Sequence, residues 1–197
     1  MARACILTAL MAGGLLAAAM PTGAAEGQDG LARRADESRR VAMEFMRTLK
    51  GELVRAMKAG GPAKAIPICR ERAPEIARDF SERTGWRVGR TSLRLRNPAN
   101  APDPWERAVL ERFEARRRAG TPVSQLEHYE VVEQDGRRVF RWMKAIPTGS
   151  PCLTCHGERI APDVAGLLDR LYPGDRARGF KVGDIRGAFT IVQPLEE

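Results

Sequence analysis

Residues Cys152-Leu153-Thr154-Cys155-His156 form a C-x-x-C-H run. Two thiols three residues apart can add across the two vinyl groups of one haem, and the adjacent histidine then lies beneath the iron as its proximal ligand. At this chain's composition, four cysteines would produce the run by accident about once in a thousand chains, so chance explains it poorly. Three other chemistries use some of the same residues. A redox dithiol of the thioredoxin kind needs C-x-x-C after a strand and at the opening of a helix, with no histidine required next to it. A structural zinc could take Cys152, Cys155, His156 and Cys69 as tetrahedral ligands, but zinc knuckles pair their spacing at both ends and Cys69 stands alone. A plain disulfide between Cys152 and Cys155 leaves His156 without a role. The run therefore points first to one covalently held haem c.

The opposite face of such an iron needs a second ligand or a vacancy. Beyond the first 25 residues the chain offers one other histidine, His128, with Met43, Met46, Met57, Met143 and the unpaired Cys69. His128 opens an expected strand and reads as an ordinary half-exposed residue. The methionines of the first helix fit its apolar face and read as core. Cys69 on iron would be a thiolate, a strong negative donor that favours the ferric state; off iron it is a small buried hydrophobe. The residues alone leave both readings of Cys69 open. Haem carboxylates also need cations, and Arg87, Arg90, Arg94 and Arg96 lie near an Asn-Pro loop; a guanidinium can hold a carboxylate with two hydrogen bonds. Arg90, between Gly89 and Thr91, is the candidate, and its alternative is a solvent-facing strand position.

Met1 to Arg3 give a positive start, Ile6 to Met20 an uncharged apolar run, and Pro21 to Ala25 a turn with small residues suited to cleavage after Ala25. This is the layout of a secretory signal peptide. The apolar run is shorter than the roughly 20 residues of a spanning helix, and no later segment is long and apolar enough, so no stable membrane insertion is expected after cleavage. Residues 26–197 make one domain's worth of chain with a single core. A periplasmic location follows from export. There Cys69, Cys152 and Cys155 cannot all pair internally, and at least one thiol needs a special use. Arg3 is the one charge lost with the signal, taking the formal balance from +8 to +7. Inside a cell that sum would fit nucleic acid. Export, and charges scattered through amphipathic stretches, argue for no nucleic-acid partner and for a solvated basic face open to anionic proteins or membrane surfaces.

The elements that must position these residues follow from periodicity. Leu31, Val41, Phe45, Leu49, Leu53 and Met57 recur at helical spacing, predicting a long N-terminal amphipathic helix from about Leu31 to Ala59, ended by Gly60-Gly61-Pro62. A short helical piece carries Cys69 and is interrupted by Pro67; another runs from near Pro74 to Gly85. Trp86–Arg96 alternates as a strand, and Asn97–Asp103 is a loop. Asp103, Pro104 and Glu106 open a helix that ends at Gly120. Asp135-Gly136 joins two strands, His128–Gln134 and Arg137–Ile146, as a hairpin. Cys152–Gly157 reads as a loop, Asp163–Leu171 as a helix and Asp184–Leu195 as a final strand. The class is α+β, an antiparallel sheet flanked by helices.

The segments Gly60-Gly61-Pro62, Ala65-Ile66-Pro67-Ile68-Cys69, Ala73-Pro74, VGRTSLRLRNPANAPDPWE from Val88 to Glu106, Met143-Lys144, CLTCHG and the closing GDIRGAFTIVQPL span nearly the whole mature chain. Together they resemble the exported c-type haem-binding proteins of PAS-like fold long filed as a domain of unknown function, whose relatives precede bacterial sensor proteins. The resemblance implies haem c held through Cys152 and Cys155, with His156 and Cys69 as its axial ligands. The function then expected is a periplasmic single-haem protein in redox or ligand sensing, read by an unknown redox or signalling protein; the alternative is a small electron-transfer cytochrome. An enzyme is not expected, because six-coordinate iron has no open position and the sequence nominates no distal acid or base.

Overall fold

A computed structural model describes residue 1 and residues 27–195. The export signal expected over residues 1–25 lies outside them, apart from Met1. Among the described residues the chain runs α1 (Gln28–Arg70), α2 (Arg72–Thr84), β1 (Arg87–Thr91), α3 (Pro104–Arg118), β2 (Glu127–Gln134), β3 (Arg137–Pro147), α4 (Leu153–His156), α5 (Pro162–Leu171) and β4 (Ile185–Pro194). The four strands form one antiparallel sheet in the order β1-β4-β3-β2, so the fold is α+β as expected.

Period-two alternation on the central strands places helices on both faces. Phe140 and Trp142 of β3 and Phe189 and Ile191 of β4 point to Ala35, Ala42 and Phe45 of α1 and Ile76 and Phe80 of α2. The intervening Met143, Ala145 and Ala188 point to Val109, Leu110 and Phe113 of α3. Phe45 is the hub of the first layer, with ring centroids 5.7 Å from both Phe80 and Phe189. A third cluster, Ile66, Val164, Leu168 and Tyr172, joins the end of α1 to α5.

Local signals held where they rested on caps and turns. Asp103 and Glu106 form a reciprocal capping box at the start of α3. Asp135 and Gly136 both take positive φ in the β2–β3 turn. At the expected break in α1, Gly61 has φ 63° and ψ −156°, outside the helical region, and the helix resumes in its first turn with Pro62. Pro67 does not interrupt that second segment, which stays helical to Arg70.

Three expectations are corrected. The strand read over Trp86–Arg96 stops at Thr91, because the Ser92 hydroxyl donates to the carbonyls of Arg186 and Arg94 and turns the chain off the sheet edge. Met43 and Met46 are exposed, at 48% and 41%, since the buried line on α1 runs through Ala35, Ser38, Ala42 and Phe45. Of the loop read over Cys152–Gly157, all but Gly157 is helical: a 3-10 turn over Ser150–Cys152 passes into α4.

Candidate functional site

The Cys-His turn winds as it does for local reasons. Pro151 sits in the first turn, where its missing N–H costs nothing, and the N–H of Cys152 donates to Gly149 and that of Gly157 to Leu153. Helical winding puts Cys152, Cys155 and His156, at i, i+3 and i+4, on one side. Gly157 closes the turn, and a Cβ there would lie 2.6 Å from the Leu153 carbonyl oxygen. The turn is then stitched to the chain before β4: Phe180 N–H donates to His156 O and Gly179 N–H to Gly157 O, both at 2.9 Å.

His156 is fixed in one tautomer. Its Nδ1 is 2.7 Å from the carbonyl oxygen of Ala177, which can only accept, so Nδ1 carries the proton and Nε2 keeps a lone pair. Arg96 Nη1 and Arg186 Nε each lie 3.4 Å from Nε2. Desolvation, then the positive charges of Arg186 and Arg96, push the imidazole down to about 2. The ring is therefore neutral, with its donor nitrogen available, the state in which histidine binds a metal. Phe180 meets the ring edge-on at 6.2 Å.

Arg96 is locked in place. It forms a two-pronged ion pair with Asp175, with Nε at 3.2 Å and Nη2 at 3.1 Å, and donates to the carbonyls of Cys155 and Ala177. The side chains of Arg96 and Asp175 are 8% and 2% exposed, a buried pair. Desolvation opposes the charge on Asp175, but hydrogen bonds from Arg96, Arg178 and the Ala177 N–H outweigh it and hold the carboxyl below its ordinary range.

Cys69 sits at the end of α1, where Ile66 packs with Val164, Leu168 and Tyr172, against which Cys155 also lies. Desolvation raises the Cys69 thiol, while Arg90, Arg96 and Arg186 pull the other way. Arg96 and Arg186 thus act electrostatically on both His156 and Cys69. Beside Cys69 a cavity of about 330 Å³ lies between α2, β1 and the 3-10 turn at Pro98–Asn100; Cys69, Phe45, Arg90, Asn97, Glu106 and Thr190 line it. Small cofactors occupy cavities of roughly 300–1,000 Å³. Arg90 lines this cavity rather than facing solvent, with its guanidinium 5.6 Å from the Phe45 ring centroid. Desolvation lowers its pKa, and Cys69 and Tyr172 offset part of that.

The fold thus gathers Cys69, Arg90, Cys155 and His156 from three separate stretches of chain. Met143 is buried under α3 instead. His128 lies on β2, its Nε2 2.9 Å from Glu130 Oε1 and its ring 5.8 Å from that of Trp105, in a surface network of its own. The alternatives to haem fare worse. Cys69, Cys152 and Cys155 are all free thiols, and among the described residues no three His, Cys, Asp or Glu side chains converge as a metal site, so the four zinc ligands do not assemble. Desolvation raises the Cys155 thiol, and Arg96 pulls it the other way.

Sequence reasoning did not single out Arg186, Asp175, Ala177 or Tyr172. Arg186 lies within the closing GDIRGAF segment, so the signal was at hand. Asp175 and Ala177 carry none, because one acts by pairing with Arg96 and the other by its main chain.

A family model described as Tll0287-like matches residues 24–194. The crystal structure of the cyanobacterial haem protein Tll0287 matches with a TM-score of 0.61 at 22% identity, covering 82% of this chain and 97% of that one. No curated protein matches.

Proposed function

The chain belongs to the Tll0287-like family, and from that premise we propose that it is an exported periplasmic protein carrying one covalent haem c, which acts in redox or ligand sensing and is read by a separate protein. The structural relative is a haem protein, and the residues here fit the same group. Cys152 and Cys155 share one side of a single helical turn, spaced for two thioether bonds. Apolar side chains of Ile66, Leu168 and Tyr172 stand around Cys155, and the guanidiniums of Arg90, Arg96 and Arg186 lie near enough to act on Cys69.

The observation that carries this reading is the tautomer of His156, whose Nδ1–H is spent on Ala177 O and whose Nε2 lone pair is kept unprotonated. A haem bound here supplies a reversible one-electron change between ferric and ferrous iron. His156 Nε2 would hold the iron on one side. Cys69 would supply sulfur on the other; desolvation, the larger influence, raises its thiol pKa, and the positive charges of Arg90, Arg96 and Arg186 offset part of that. Its place beyond the non-helical Gly60-Gly61 break gives the Cys69 segment a joint about which to move if the sulfur is released. With both ligands engaged no enzymatic step is assigned. A second reading, a small electron-transfer cytochrome, draws support from the basic formal charge, which would speed encounter with an acidic partner.

The test compares absorption and spin-resonance spectra of wild type and Cys69→Ala, both produced with haem-attachment machinery. Expected are a covalent haem in both and a low-spin ferric signature of sulfur ligation in the wild type alone. A colourless wild type would refute the reading.

A further inference from the structure

Four guanidiniums, those of Arg90, Arg94, Arg96 and Arg186, crowd around Cys69, His156 and Phe180, and they are not equivalent. Arg96 has its carboxylate, Asp175. Arg94 stacks on the Phe180 ring, 4.0 Å from its centroid. Arg90 and Arg186 have longer aromatic contacts, 5.6 Å from the Phe45 ring centroid and 5.4 Å from that of Phe180. Among the described residues, no carboxylate lies within ion-pair distance of either. The polar contacts of Arg186 are long, at 3.4 Å to His156 Nε2, 3.4 Å to Ser92 Oγ and 3.5 Å to Arg94 O, beyond the usual 2.7–3.2 Å of a hydrogen bond. Among the described residues the Arg90 side chain makes no hydrogen bond or ion pair; its guanidinium lies 5.6 Å from the Phe45 ring centroid and it lines the cavity with Cys69.

Two half-buried cations without anions are costly unless a ligand completes them. We propose that Arg90 and Arg186 form a two-guanidinium clamp for the paired carboxylates of the porphyrin, each guanidinium taking one carboxylate. The proposal rests on the haem reading and adds to it. Arg186, with only long contacts to His156 Nε2, Ser92 Oγ and Arg94 O, would turn its fork to a carboxylate. Arg96, pinned by Asp175, stays where it is.

The clamp is tested without iron and without covalent attachment. The haem-free protein is titrated with metal-free mesoporphyrin and with its dimethyl ester, which has the same ring but no carboxylates, and tryptophan quenching is followed. Charge-assisted hydrogen bonds are worth enough that the diacid is expected to bind at least about tenfold more tightly than the diester. Arg90→Gln and Arg186→Gln should each remove a large part of that preference, and Arg186→Lys should restore some of it as a point charge lacking the planar fork. Arg83→Gln, at an exposed pair with Glu44, should leave it unchanged.

Equal affinity of the wild type for diacid and diester, or no binding of the diacid, overturns the clamp without needing any variant to fold. So does a preference that survives in folded Arg90→Gln/Arg186→Gln protein. Failure of the haem reading looks different, as colourless protein from attachment-competent cells.

Discussion

His156 Nδ1 and Ala177 O stand 2.7 Å apart, and this one hydrogen bond fixes which nitrogen of the ring can serve as a ligand. Ala177 is itself held, because its N–H donates to Asp175 Oδ1 at 2.9 Å while Asp175 also grips Arg96. The tautomer of His156 therefore depends on a buried carboxylate that never touches it.

Asp175→Asn should be strongly destabilising. It keeps the shape of the side chain but leaves Arg96 buried without a counter-charge, and breaking one side of a buried pair costs about 3–5 kcal/mol. Denaturant unfolding of the haem-free protein measures it. A loss within the range of an exposed pair, about 1 kcal/mol or less, would contradict the buried geometry.

Gly157→Ala should damage the attachment turn. Its Cβ would meet the Leu153 carbonyl 2.6 Å away, and overpacking against backbone costs about 1–3 kcal/mol. The expected result is a lower unfolding midpoint together with a smaller fraction of chains carrying covalent haem, read from the absorbance ratio of haem to protein.

Phe45→Ala should cost about 3–5 kcal/mol, as for other fully buried aromatic truncations. Phe45 is 0% exposed and packs on Phe80 and Phe189. It also forms the floor beneath Arg90, so weaker diacid porphyrin binding should accompany the lost stability.

Acid should destabilise the fold through Glu127 as well as through the site. Desolvation works against its charge, but hydrogen bonds from Arg39 and from Trp142 Nε1 outweigh it and lower its pKa below the ordinary 4.5. A carboxyl lowered on folding contributes stability that is present above its unfolded value and lost as pH falls through the folded one. Unfolding free energy measured from pH 7 downward should therefore decline below about pH 4.5, and Glu127→Gln should flatten that decline. An unchanged slope in the variant would remove Glu127 from the account.

The Cys152-Leu153-Thr154-Cys155-His156 run was visible in the sequence because its side chains follow one another closely, and a spacing of three and then one is enough to state what they could do. Asp103 with Glu106 and Asp135-Gly136 were legible for the same reason, each making its signal within four residues. The interruption of α1 at Gly60-Gly61 belongs with them, since a glycine at φ 63° announces itself locally. Met43 and Met46 were misread because helical periodicity gives a face only to within a residue or so, and the sheet decided which line on α1 it would cover.

By itself the sequence determined the α+β class, the hairpin, the caps, and the presence of two thiols and an imidazole spaced for one macrocycle. Only the tertiary structure decided that Cys69 shares an arginine cluster with His156, that Asp175 claims Arg96 and that Arg90 and Arg186 have no carboxylate within ion-pair distance among the described residues. Spacing along a chain encodes local winding, whereas desolvation and charge pairing depend on which distant segments the packed core brings together.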